Sequence, residues 1–164
     1  MRQAAFSAEV FRGCRERGMH TALDTCGFAP WGDYEKVLPF VDLVLYDLKL
    51  ADPEEHRRYT GVDNLLILEN LSRIDAAGLT MEVRIPIVPG VNDGPRNMDA
   101  CADKLKMLAH LDRVVLLPYH RLGEAKYARL GRAYRLPETA PPTKESLEAA
   151  AARLSARGLE VSIG

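Results

Sequence analysis

Asp47 and Lys49 stand two residues apart at the end of the apolar run Val41-Asp42-Leu43-Val44-Leu45-Tyr46. Strand side chains alternate between faces, so this carboxylate and this ammonium point the same way. Burying either charge unpaired would cost several kcal/mol. The pair is therefore either an ion pair at a strand mouth or an acid and a base that meet a ligand. Similar groups recur along the chain. Asp24 ends a strand candidate over residues 19–24, just before Thr25-Cys26-Gly27. Arg84 lies between Val83 and Ile85 in a strand candidate over 80–88, and His120 closes another over 113–120. Recurrence at four successive strand mouths is poorly explained by packing, whereas α/β sites are assembled at the carboxyl ends of several strands. Lys49 beside Asp47 also admits a Schiff-base lysine of an aldolase-like enzyme, because desolvation lowers a lysine pKa and makes the amine nucleophilic.

The elements that must position these groups follow from periodicity. Residues 41–49, rich in Val and Leu, read as a strand buried on both faces. Phe6, Val10, Phe11 and Cys14 recur at helical spacing, with Ser7 as N-cap and Gly18 as the stop. Asp52-Pro53-Glu54-Glu55 reads as an N-cap, a proline in the first turn and an acidic start to a short helix that ends by Gly61. A helix over 64–77 sets Leu68, Leu71 and Ile74 on one side, with Gly78 as terminator. Pro86 should limit the ladder of its strand. Residues 89–94 form a loop dense in turn residues, and a helix over 95–110 places Met98, Cys101, Leu105 and Leu108 in the core. Residues 123–131 read as a short helix or loop, 137–142 as a proline-rich connection, 143–157 as a final helix and 159–163 as a last short strand.

Strands alternating with helices demand right-handed βαβ crossovers and a parallel sheet, so the fold class is α/β. A closed (β/α)8 barrel takes about 250 residues. With five strands in 164 residues, the expectation is an incomplete, TIM-like (β/α) barrel of parallel strands, one domain over 1–164. The chain opens on a helix with no strand ahead of it. It is therefore expected to be the carboxyl-terminal portion of a partial barrel, its first strand an exposed edge prone to association. At 47% hydrophobic and 27% charged residues, the chain suits one core. A net charge of -1 and a pI near 6.4 argue against nucleic acid or an anionic membrane as partner. No apolar run approaches the roughly 20 residues of a membrane span, and the amino terminus lacks a signal-peptide layout, so the expected location is cytoplasmic. Cys14, Cys26 and Cys101 are too widely spaced for a disulfide framework or a metal motif.

Four segments carry a family resemblance: residues 20–28 (HTALDTCGF), 46–49 (YDLK), 83–93 (VRIPIVPGVND) and 117–123 (LPYHRLG). In this order they resemble the radical S-adenosylmethionine activating enzymes of glycyl radical enzymes, as do Lys126-Tyr127 to Gly131 and Pro141-Pro142. The resemblance covers nearly the whole chain. It implies a partial barrel of the radical S-adenosylmethionine type that binds that cofactor and a [4Fe-4S] cluster. Reductive cleavage there gives a 5′-deoxyadenosyl radical that takes hydrogen from a backbone glycine of a formate acetyltransferase-like partner. Flavodoxin or ferredoxin is the implied electron donor. On this resemblance Asp24 meets the methionyl ammonium or neighbouring polar groups of the cofactor, while Asp47 and Lys49 bind ribose hydroxyls and the methionyl carboxylate. Arg84 and His120 complete the pocket or touch the incoming glycine loop.

One departure matters. The family's Cys-x3-Cys-x2-Cys loop and its Gly-Gly-Glu-Pro motif do not occur in this sequence. The expectation is therefore a cofactor half-site without the redox half-site, a chain that on its own neither assembles the cluster nor cleaves the cofactor. The non-enzymatic alternative is a binding or docking module.

Overall fold

In the computed structural model, which describes residues 3–134, 136 and 138–164, five strands pair in chain order and every pairing is parallel. The order of elements is α1 (Ala4–Arg15), β1 (Ala22–Thr25), α2 (Trp31–Val37), β2 (Leu43–Asp47), α3 (Pro53–Thr60), α4 (Leu65–Ala76), β3 (Met81–Ile87), α5 (Pro95–Leu105), β4 (Leu111–Pro118), α6 (Glu124–Arg129), α7 (Lys144–Ser155) and β5 (Val161–Ile163). Single 3₁₀ turns occupy Leu38–Phe40 and Arg121–Gly123. This is the α/β arrangement that the alternation predicts, with β1 and β5 at the edges of the sheet. The connection expected over 137–142 begins at a residue outside those described.

Helices cover one face of the sheet. Val44, Tyr46, Met81, Val83, Ile85 and Ile87 are fully buried in one core with Ile67, Leu71 and Ile74 of α4, Met98, Cys101 and Leu105 of α5, and Leu154 of α7. The alternate residues Leu43, Leu45, Asp47, Glu82, Arg84 and Pro86 face the other way and are only half-buried. The expectation of a β2 strand buried on both faces is thus corrected. A Val/Leu-rich run reads the same whether its second face is packed by helices or forms an aliphatic wall. That second face is where the polar groups of interest lie.

Three further expectations change. α1 buries Ala4 and Ala8, while Phe6 and Val10 are exposed and Cys14 is half-buried. Small residues let this helix approach its neighbours closely, and Gln3 rather than Ser7 precedes its first turn. α5 stops at Leu105 because the Asp75 carboxylate accepts from Ala109 N and His110 N, at 3.1 and 2.8 Å, and draws the chain into β4. β3 runs through Pro86 as far as Ile87, in register with Leu117 and Pro118 of β4. The missing N–H falls on the β2 side, where strand pairing has already ended at Asp47 and Arg84.

Two helices, α3 and α7, carry side-chain caps. Asp52 Oδ1 accepts from Glu54 N at 2.9 Å and Glu55 N at 3.0 Å, and Thr143 Oγ1 accepts from Ser146 N at 3.2 Å. Among the described residues no helix is long and apolar enough to cross a membrane.

Candidate functional site

Arg84 is the fourth of seven residues in β3, so it is not a strand-end residue as its position in the sequence suggested. Its side chain nevertheless reaches the strand ends. Register pairs Arg84 with Asp47 of β2 and sets Asp24 of β1 beside Leu45 of β2, all on the face without helices. Arg84 Nε and Nη2 donate to Asp47 Oδ1 at 3.2 and 3.1 Å, and Nη2 donates to Asp24 Oδ1 at 2.6 Å. Lys49 Nζ donates to Asp47 Oδ2 at 3.3 Å. Two acids and two bases therefore form one neutral chain of charges across three strands.

Exposure grades along that chain. The side chains of Arg84, Asp47, Lys49 and Asp24 are 18%, 26%, 36% and 64% exposed. Burial works against the Arg84 charge, but the Asp24 hydrogen bond and the charges of Asp47 and Asp24 outweigh it, holding the guanidinium above its usual pKa. Arg84 thus fixes both carboxylates, while Asp24 Oδ2 and two Lys49 N–H groups have no partner among the described residues. An ion-paired lysine at 36% exposure is not the desolvated amine that a Schiff base would favour.

His120 is not part of this cluster. It is exposed and precedes the 3₁₀ turn Arg121–Gly123, its Nδ1 accepting from Leu122 N at 3.3 Å. No hydrogen bond or ion pair among the described residues joins it to the other four.

The loop after β1 is held by residues whose role periodicity does not reveal. Gly27 has φ +80°, and a Cβ built there would lie 1.8 Å from Tyr46 Oη. Only glycine fits, because Tyr46 is fully buried and donates to Ile67 O at 2.5 Å. Asn70, fully buried on α4, donates to Gly27 O and Ala29 O, both at 2.8 Å. Asn64 Nδ2 donates to Leu50 O and Ala51 O at 2.8 and 3.0 Å, and Asn97 Oδ1 accepts from Ala51 N at 2.9 Å. Beside Lys49 a cavity of about 470 Å³ opens between Pro86 and Asn92 on the sheet side, Tyr59 at the end of α3, and Tyr127 and Tyr134.

The residues present fit a ligand of the S-adenosylmethionine type. Asp24, with a spare oxygen, suits an ammonium or a diol, the lysine suits a carboxylate, and an aromatic-walled cavity adjoins them. They do not fit an iron–sulfur cluster. Among the described residues no three His, Cys, Asp or Glu side chains are grouped to hold a metal. Cys14 is half-buried on α1, Cys26 is exposed in the loop after β1, and Cys101 is buried in the core of α5.

No protein-family model matches the chain. It is 37% identical over 161 residues to the trans-4-hydroxy-L-proline dehydratase activating enzyme of Clostridioides difficile, covering 97% of this chain and 53% of that protein. To the pyruvate formate-lyase 1-activating enzyme of Escherichia coli K12 it is 34% identical over 148 residues, covering 89% of this chain and 60% of that one. The chain thus spans little more than half the length of these curated relatives. Its fold matches the crystal structure of a domain of pyruvate-formate lyase-activating enzyme from Bacteroides vulgatus with a TM-score of 0.83 and 29% identity, over 99% of this chain and 91% of that one.

Proposed function

We infer the function of this chain from its family: it is related over nearly all of its own length to the radical S-adenosylmethionine activating enzymes of glycyl radical enzymes. In this reading the chain supplies the wall that binds S-adenosylmethionine and presents it to a backbone glycine of a formate acetyltransferase-like partner. The observation that carries the reading is the Arg84-centred cluster, which places Asp24, Asp47 and Lys49 on one face at the carboxyl ends of β1 and β2. When bound and given one electron, that cofactor supplies hydrogen-atom abstraction from carbon.

The chain's own residues bind and orient. Asp24, with one oxygen held by Arg84, turns the other to the methionyl ammonium. Lys49 meets the methionyl carboxylate and Asp47 the ribose hydroxyls. Complementary charge in a half-buried setting acts more strongly than in water, and strands hold it rigidly. Arg84 bridges the two carboxylates through one nitrogen and holds both in place. His120, at the rim, is assigned to the approach of the glycine loop. The electron, from flavodoxin or ferredoxin, enters through groups that these residues do not supply.

The test uses the chain as it stands, supplied with iron, sulfide, dithionite and S-adenosylmethionine. The expected result is no release of 5′-deoxyadenosine, because the thiolates that hold a cluster are not among its residues. Release by the chain alone would overturn this division of labour.

A further inference from the structure

We propose that Asn92 is a positioning residue for Lys49, standing in for the backbone ladder that Pro86 interrupts; the proposal rests on the reading of Lys49 given above. The last bond between β2 and β3 runs from Leu48 N to Arg84 O at 2.9 Å. In a parallel ladder the next donor would be the N–H of residue 86, and proline has none. Asn92 fills the gap. Its Nδ2 donates to Pro86 O at 2.6 Å and to Lys49 O at 2.8 Å, and its Oδ1 accepts from Val88 N at 2.8 Å.

One carboxamide therefore bridges two strand ends that no longer pair. The insertion spaces Lys49 from Pro86, and all three residues line the cavity of about 470 Å³ beside the charge cluster. Asn92 is 2% exposed, and both its donors and its acceptor are engaged within the protein. Both N–H donors and one lone pair of Oδ1 are spent on backbone groups, so it acts through Lys49 rather than on substrate. The segment that follows is held in the same way, with Leu50 O and Ala51 O on Asn64 and Ala51 N on Asn97. Asn97 Nδ2 in turn donates to Asn92 O at 2.9 Å. Three asparagines thus fix the backbone from Lys49 to Ala51, and of the three Asn92 is the one that ties it to β3.

Asn92→Asp is the informative variant. It keeps the shape, removes both donors and sets a negative charge against two carbonyl oxygens. Two readouts apply to the full chain. The first is the NMR signal of Lys49 after reductive ¹³C-dimethylation, assigned by its absence in Lys49→Arg. In the wild type this signal should move when Asp47→Asn removes the ion pair, and in Asn92→Asp it should no longer respond. The second is the affinity for S-adenosylmethionine by calorimetry. Asn92→Asp should weaken it about tenfold alone and less than about twofold in a Lys49→Ala background, the coupling expected of two residues that act as one unit.

A Lys49 signal that responds to Asp47→Asn equally with and without Asn92→Asp would overturn the proposal, as would additive losses of affinity. If the signal uncouples but even the wild type binds no cofactor, the functional reading fails and the positioning of Lys49 by Asn92 stands. Should Asn92→Asp not fold, Asn92→Ser, with one donor and a shorter reach, carries the same two measurements.

Discussion

Arg84 Nη2 donates to Asp24 Oδ1 at 2.6 Å across β2, joining residues 60 apart in the chain. The contact ties the edge strand to the third strand at the point where the sheet presents its charges. Removing Arg84 leaves Asp47, whose side chain is 26% exposed, without its guanidinium partner. Arg84→Met should therefore cost about 1–3 kcal/mol of stability. Asp24→Asn, at a 64% exposed side chain, should cost less than about 1 kcal/mol. Urea denaturation of the two variants beside the wild type checks the difference.

Gly27→Ala meets the Tyr46 hydroxyl and a backbone that favours glycine, with φ at +80°. The variant should lose about 2–4 kcal/mol, because the buried ring has no room to retreat. A chemical-denaturation midpoint within error of the wild type would show that the loop after β1 is not seated against Tyr46.

Asp42 supplies a pH dependence. Its carboxylate accepts from Thr21 N at 2.8 Å and from Thr21 Oγ1 at 2.9 Å, which hold its pKa below the usual 3.8, with Arg15 adding to the effect. A carboxyl whose folded pKa is depressed stabilises fully above the unfolded value and loses that contribution as pH falls through the folded one. Melting temperature should thus drop on acidification below about pH 4, and less steeply in Asp42→Asn than in the wild type. Parallel melting curves between pH 7 and pH 3 measure both slopes.

Two of the three thiols, Cys26 and Cys101, should separate by reactivity. Burial pushes the Cys101 thiol up to about 12, whereas Cys26 is exposed. Iodoacetamide at neutral pH should modify Cys26 in the folded chain and Cys101 only after unfolding, as read by peptide mass spectrometry.

The strands and most helices were legible in the sequence because apolar periodicity and caps such as Asp52 act locally. So was the gathering of Asp24, Asp47 and Lys49, since each stands near the carboxyl end of a strand and parallel strands bring those ends together. Arg84 was legible as a charged strand residue but not as the centre of the cluster, because a long side chain reaches from mid-strand to the rim. His120 shared the same positional signal, yet the backbone turns after Pro118 and spends the imidazole on capping Leu122 N. Phe6 and Val10 misled because helical spacing defines a stripe without saying which stripe is buried. Asn64, Asn70, Asn92 and Asn97 were silent. A polar residue that satisfies a distant carbonyl leaves no periodic trace, and only the folded backbone supplies its partners.

Calorimetric titration of S-adenosylmethionine into the chain tests the central claim most directly, with Asp24→Ala, Lys49→Ala and the distant Arg113→Ala in parallel. The account predicts binding by the wild type and by Arg113→Ala, weakened about tenfold or more in each of the other two. No binding by the wild type, or equal binding by all four proteins, would contradict it.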